Sequence, residues 1–299
     1  GAIEFTGPIT LADTSSDSVT IDADQHANTT VTFNSTATVN AATSGGQSLV
    51  IDTDAGAIAM QGAIGGSTAL SALTVNSDGA GTIEIANIGT SSAAGVTGAT
   101  AIGNTSTGTL TLDGSAYTTT GTQTYTGASG GSNIVISGTA PTFTTTNTAI
   151  AFNTSDVTLS NNGTTTINTG TGAGTVTFQG AIETDGGNDD ILTVTSGTGN
   201  VTFTGALGAT EELGGLNVNS SAGDGDITFT STIGDSGNAG IIGTTAIGND
   251  TTADLNFNST IYSFDGTTTI TAASGDTIDI GSPLRSKQRL IISLLLREI

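Results

Sequence analysis

The side chains of this chain that can do chemistry are almost all carboxylates: 26 Asp and Glu against four Lys and Arg and one His. They gather in Gly- and Asn-rich stretches. DGGNDD (185–190) and AGDGDI (222–227) are the densest, followed by DTDAG (52–56) and SDGAG (77–81). Carboxylates, amides and unhindered glycine carbonyls are the ligands that a hard divalent cation takes. Asp185, Asp189, Asp224 and Asp226 are therefore the candidate calcium ligands. The competing reading is that Asp and Asn here simply suit tight turns.

Acid–base catalysis is the second chemistry to test. Inverting glycoside hydrolysis needs one carboxylic acid and one carboxylate at a set separation. Asp189-Asp190 and Glu211-Glu212 are adjacent pairs, and neighbouring side chains on a strand point to opposite faces. A lyase would want a cation beside an enolate-like charge, and residues 1–284 contain no Lys or Arg. A Ser-His-Asp triad would have to use His26, the lone imidazole, which sits in DADQHANTT, a stretch that reads as a surface turn. These patterns point to a protein that is not an enzyme and requires no cofactor, with calcium as the one candidate ion.

The charge distribution narrows the partners. All four cations, Arg285, Lys287, Arg289 and Arg297, lie in the last 15 positions of a chain of formal charge −22. Such a body cannot neutralise phosphates, which excludes nucleic acid, and an anionic membrane surface repels it. No apolar run reaches the ~18 residues of a membrane-spanning helix, so membrane insertion is not expected. The high charge reads as a solubility device, with divalent cations or a saline habitat as alternatives. The absence of Cys excludes a disulfide scaffold and a Cys-ligated metal. No signal peptide is visible, and the start at Gly1 reads as a mature or excised fragment.

The elements that carry these turns are read from repeats. GAIEFTGPIT (1–10), GAIAMQGAIG (56–65), GTVTFQGAIE (174–183) and GNVTFTGALG (199–208) spell one phrase, with large apolar residues at Phe5, Phe33, Met60 and Ile85 and again at Phe178, Phe203 and Phe229. A second phrase falls between them: SLVID at 48–52, ALTVN at 72–76, ILTVT at 191–195 and GLNVN at 215–219. Period-2 alternation separated by Gly, Asn, Asp and Ser reads as strands and turns. A fixed period of this size reads as a solenoid. Thr, a strand-favouring residue, makes up about a fifth of the chain, and aromatics are only 4% with no Trp, which suits a narrow core of stacked side chains. The expectation is an all-β parallel β-helix (β-solenoid) with coils of about 25 residues, right-handed by the crossover rule. A string of small antiparallel sandwiches is the competitor, disfavoured because sandwich strands do not repeat one another's sequence.

A longer repeat contains the short one. GAIAMQGAIGGSTALSALTVNS (56–77) aligns with GNVTFTGALGATEELGGLNVNS (199–220), TAIGN at 100–104 with TAIGN at 245–249, and Tyr117 with Tyr262. Residues 1–281 thus divide into two copies of a superunit of about 144 residues, approximately 1–143 and 144–281. The tail, 282–299, is basic and apolar. It reads as a cap over the last coil, a docking peptide for the acidic body of another copy, or a cloning scar or altered reading frame.

Over residues 1–281 this pattern resembles large bacterial surface proteins built from β-strand repeats, filamentous-haemagglutinin-like adhesins and autotransporter passenger stalks among them. The resemblance implies an extracellular, cell-surface location and a non-enzymatic structural role as adhesin stalk or scaffold, facing host or surface glycans and proteins. The alternatives are a fibre subunit that self-associates head to tail and a carbohydrate-active β-helix enzyme.

Overall fold

The structure, a computed structural model, describes residues 1–12, 18–23, 28–131, 133–187 and 190–281, and the backbone of 285–286 and 290–294. It falls into two compact units, Gly1–Thr146 with Phe152–Ser155, and Asn147–Ala151 with Asp156–Ile299. No helix occurs among the described residues, and within each unit every strand pairing is parallel. The chain is a β-solenoid.

In the N-terminal unit the first face stacks Ala2–Phe5, Thr30–Phe33, Ile58–Met60, Ile83–Ile85, Leu110–Leu112 and Ile134–Ile136 in that order. A second face starts with Ile9–Leu11 and Val39–Ala41, narrows to the single bridging residues Ile64 and Ile88, and widens at Ala116–Thr118 and Thr142–Thr144. A third stacks Ser18–Asp22, Ser48–Thr53, Leu73–Ser77, Thr100–Ile102 and Gln123–Thr126. One coil takes 23 residues (Thr100 to Gln123) to 30 (Val19 to Leu49). The two phrases in the sequence mark two faces. The remaining face, through Ile64 and Ile88, escapes a sequence reading because in several coils it is one apolar residue beside Gly, as in GAIGG around Ile64 and NIG around Ile88.

The C-terminal unit repeats the design. Val176–Phe178, Val201–Phe203, Ile227–Phe229, Leu255–Phe257 and Ile278–Ile280 stack on one face. Thr164–Asn168, Ile191–Thr195, Gly215–Val218, Thr245–Ile247, Thr268–Ala272 and Leu290–Leu294 stack on another. The third begins with Val157–Leu159 and Ile182–Thr184 and continues as bridges at Leu207, Ile233 and Tyr262. Tail residues enter this unit as strands: Arg285–Ser286 pairs with Ser263–Phe264, and Leu290–Leu294 with Thr268–Ala272.

Alternation sets the core. In Val201-Thr202-Phe203 the outer two side chains are buried and the middle one is half-buried, and the same holds for Val176–Phe178 and Ile227–Phe229. A sheet strand in this fold must present one apolar row inward, and a one-residue slip would reverse it. Register then places like on like. Phe5, Phe33, Met60 and Ile85 pair in succession. Phe178, Phe203, Phe229 and Phe257 stack ring on ring, with centroids 5.4, 4.9 and 5.1 Å apart and planes within 12°.

The first glycine of the phrase has a steric cause. A Cβ on Gly199 would lie 2.1 Å from the Gly174 carbonyl oxygen, and one on Gly225 would lie 2.0 Å from that of Gly199. The column Gly174, Gly199, Gly225 lets consecutive coils meet backbone to backbone where each turn enters its strand. Larger residues at these positions would hold the coils apart and open the aromatic stack beside them.

Candidate functional site: the acidic turns

The polar side chains with the most organised chemistry lie at the entrances to strands, where each serves the coil that follows. Asn200, Asp226 and Asp254 immediately precede the strands that carry Phe203, Phe229 and Phe257. Asn200 Oδ1 accepts from the Asp226 N–H (3.1 Å), and its Nδ2 donates to Asp226 Oδ2 (3.3 Å). Asp226 Oδ1 accepts from the Asp254 N–H (3.2 Å), and Asp254 Oδ1 accepts from both the N–H and the hydroxyl of Thr277, each at 2.8 Å. The two donors from Thr277 hold the Asp254 carboxyl below the usual carboxylate range. This is a ladder of side-chain acceptors running between coils, built from residues whose backbone N–H groups point away from their own strand.

The same device recurs elsewhere. In the N-terminal unit Asn40 Oδ1 accepts from the N–H groups of Ser67 (2.9 Å) and Thr68 (3.1 Å), and Asn87 Oδ1 from those of Ser115 (2.8 Å) and Ala116 (3.0 Å). In the C-terminal unit Asp156 Oδ1 accepts from Ala181 N–H (2.7 Å), and Glu183 Oε2 from Thr210 (3.2 Å) and Glu211 (3.0 Å). Partial burial raises the Glu183 pKa against the pull of those N–H groups, and the charge of Asp156 adds to the rise. The signal for the ladder was present in the sequence: an Asn or Asp directly before an apolar-x-Phe strand at 200, 226 and 254. Asn40 and Glu183 sit in the short strands Val39–Ala41 and Ile182–Thr184, Asn87 and Asp156 in turns, and the four have no such spacing.

The candidate calcium ligands divide between separate turns. Asp185 accepts from the Ser160 hydroxyl through Oδ2 (2.7 Å) and from the Gly187 N–H through Oδ1 (3.3 Å). Asp226 has both oxygens in the ladder just described. Asp224 is exposed. It lines a groove of about 360 Å3 with Asn168, Gly170, Thr171, Thr195, Gly197 and Gly223. Asp189 lies outside the described residues, as does His26. Among the described residues no group of three or more His, Cys, Asp or Glu side chains is arranged to hold a metal ion.

Asp190 is the carboxylate with the most unusual surroundings. Its side chain is buried, Oδ1 accepts from Asn161 N–H (3.0 Å) and Gly163 N–H (3.4 Å), and Oδ2 has no partner among the described residues. Loss of hydration raises its pKa, the two N–H donors oppose the rise, and the charge of Asp185 adds to it. The buried phenols are arranged differently. Tyr117 donates to the Ile85 carbonyl (2.9 Å) and accepts from Gly114 N–H (2.8 Å), and Tyr125 donates to Gln123 Oε1 (3.1 Å). Burial holds both phenols well above their ordinary pKa, so they stay neutral and act as donors within the core.

No protein-family model, curated protein or solved structure matches this chain.

Proposed function

We propose that the chain is a non-enzymatic structural segment of an extracellular bacterial surface protein, serving as the stalk or scaffold of an adhesin. One observation carries this reading: the polar side chains of the turns are spent on bonds between coils, as in the Asn200, Asp226, Asp254, Thr277 ladder. Side chains held by the backbone of the neighbouring coil stiffen the stack and are poorly placed to exchange protons with a substrate. The narrow aromatic core and the cation-free acidic body fit a scaffold that stays dispersed in solution. The repeated Gly-x-β-branched-x-apolar phrase fits the β-repeat surface proteins it resembles. Recognition of host or surface glycans and proteins would then fall to surfaces carried by this scaffold.

The test is mechanical and enzymatic. Single-molecule stretching of the chain should show extension in steps of one or a few coils, because each coil contacts only its neighbours. Release of reducing sugars from a polysaccharide panel should not exceed a buffer control. Sugar release at enzyme-like rates, or smooth low-force extension, would overturn the reading.

A further inference from the structure

We propose that the groove over the turns at 168–171, 195–197 and 222–224 is a binding subsite for a neutral saccharide. The inference rests on the scaffold reading and names the class of ligand that the scaffold holds. Elsewhere the turn carboxylates are engaged with the neighbouring coil, as those of Asp226, Asp254 and Asp156 are. In this groove of about 360 Å3 the polar groups are left over. The Asp224 carboxylate, the Thr171 and Thr195 hydroxyls and the side-chain nitrogen of Asn168 line it and bond to no described residue. The backbone beneath them is fixed. Asn168 Oδ1 accepts from Gly170 N–H (2.8 Å), and the Asp224 N–H donates to the Gly197 carbonyl (2.6 Å). The Gly223 carbonyl accepts from Asn249 Nδ2 (3.1 Å) and from the Thr252 hydroxyl (3.0 Å). The turn does not require a carboxylate at 224: in successive coils the residues before the stacked glycines Gly174, Gly199 and Gly225 are Ala173, Thr198 and Asp224. Free polar groups on a fixed backbone are a preorganised surface, which lowers the entropic cost of binding.

The chemistry of the lining selects the ligand. An amide donor, two hydroxyls that donate and accept, and a carboxylate suit a row of ligand hydroxyls, which can donate to Asp224 and accept from Asn168. An anion is repelled by Asp224 and finds no Lys or Arg in residues 1–284. A calcium ion takes about 6–8 oxygen ligands, several of them carboxylates, and Asp224 is the one carboxylate among the described residues of the lining. Size agrees with the chemistry. The lining comes from three successive coils, about 10 Å from the first to the third at the inter-strand spacing, which is the length of a disaccharide. The volume falls at the small end of ligand sites. Gly197, Ala222 and Gly223 present C–H groups on which the apolar face of a sugar ring can rest, and no aromatic ring lines the groove, so the affinity is modest.

Titration of the isotope-labelled full chain, followed by amide chemical shifts, tests the proposal. The probes are cellobiose, maltose, lactose, mannobiose and diacetylchitobiose, with calcium chloride and inorganic phosphate beside them. At least one disaccharide should shift the amides of Gly170, Gly197 and Asp224, with a Kd of ~0.1–1 mM, and calcium and phosphate should leave those amides in place. Asp224→Ala and the isosteric Asp224→Asn should each weaken binding about tenfold, the loss expected for a charge-assisted hydrogen bond, with the melting temperature unchanged. Glu211→Gln removes an exposed carboxylate from a different turn and should leave binding as it is. No shift of these amides by any of the disaccharides at ~50 mM, far above the expected Kd, overturns the proposal. So do shifts produced by calcium or phosphate alone, or binding indifferent to both Asp224 variants. The scaffold reading is judged separately: it falls if the chain releases sugar from polysaccharide or extends smoothly at low force, whether or not the groove binds.

Discussion

Replacing Phe203 by Ala removes an inner ring of the four-ring aromatic stack in the C-terminal unit. The side chain is fully buried, with Phe178 at 5.4 Å on one side and Phe229 at 4.9 Å on the other. Phe→Ala in a core costs about 3–5 kcal/mol through lost transfer energy and the cavity left behind. The parallel neighbours cannot close that cavity, because the Gly174, Gly199, Gly225 column already holds the coils at backbone contact. A cost near 4 kcal/mol is expected. In a unit of roughly 150 residues that lowers Tm by about 8–16 °C. Thr202→Ala is the matched control: Thr202 is half-buried on the outer row, in register with Thr177 and Thr228, and its loss should stay within about 0.5 kcal/mol. Urea denaturation followed by far-UV circular dichroism, with thermal melts, measures both. Equal destabilisation by the two variants would refute the assigned register and, with it, the stacked-phenylalanine core.

Gly199→Ala should destabilise by about 1–3 kcal/mol, the usual cost of overpacking, because the new methyl would meet the Gly174 carbonyl at 2.1 Å. Gly237→Ala, whose nearest neighbour would be Asp235 Oδ1 at 3.6 Å, should be near neutral, and equal effects in equilibrium unfolding would show that the coils are not in backbone contact. Protonation of Asp190 and Glu183 should also add stability as pH falls from neutrality towards their ordinary pKa values. Asp190 and Glu183 have native pKa values raised above their ordinary 3.8 and 4.5, so the native state binds protons that the unfolded chain does not. That contribution is complete below the ordinary values and is lost as pH rises through the native ones. Asp235 and Asp254, with lowered values, act oppositely, and their contribution is lost as pH falls below 3.8. Urea midpoints at pH 7, 5 and 3 check this, and Asp190→Asn should remove its part of the gain on acidification. A midpoint that falls from pH 7 to 5 would contradict the assignment.

Much of the fold was legible because a solenoid repeats its environments. Phe178, Phe203 and Phe229 recur at nearly one coil's spacing, so a single side-chain type suffices at each level and the period shows in the letters alone. Alternation within VTF and ITF likewise announced which side chains face inward. Less of the candidate site was legible. Asp185, Asp224 and Asp226 share a composition that suits calcium, yet the turns give them different surroundings: Asp185 holds the Ser160 hydroxyl, Asp224 lines an open groove, and Asp226 bonds across coils. Asn76 and Asn219 end matching phrases, but Asn76 is a half-buried strand residue paired with Asp52. Asn219, at φ 47°, turns inward, where its Oδ1 accepts from Ser196 N–H at 3.0 Å.

The sequence by itself determined the strands, the coil period and the inward row, because each of these depends on residue type at a constant spacing. Tertiary structure alone decided the face built on single bridging residues, the partners of the turn carboxylates and the burial of Asp190. Those depend on where loops of unequal length come to rest against the next coil. A turn side chain that bonds across coils finds its partner 23 to 30 residues away, and nothing in its own neighbourhood records which one.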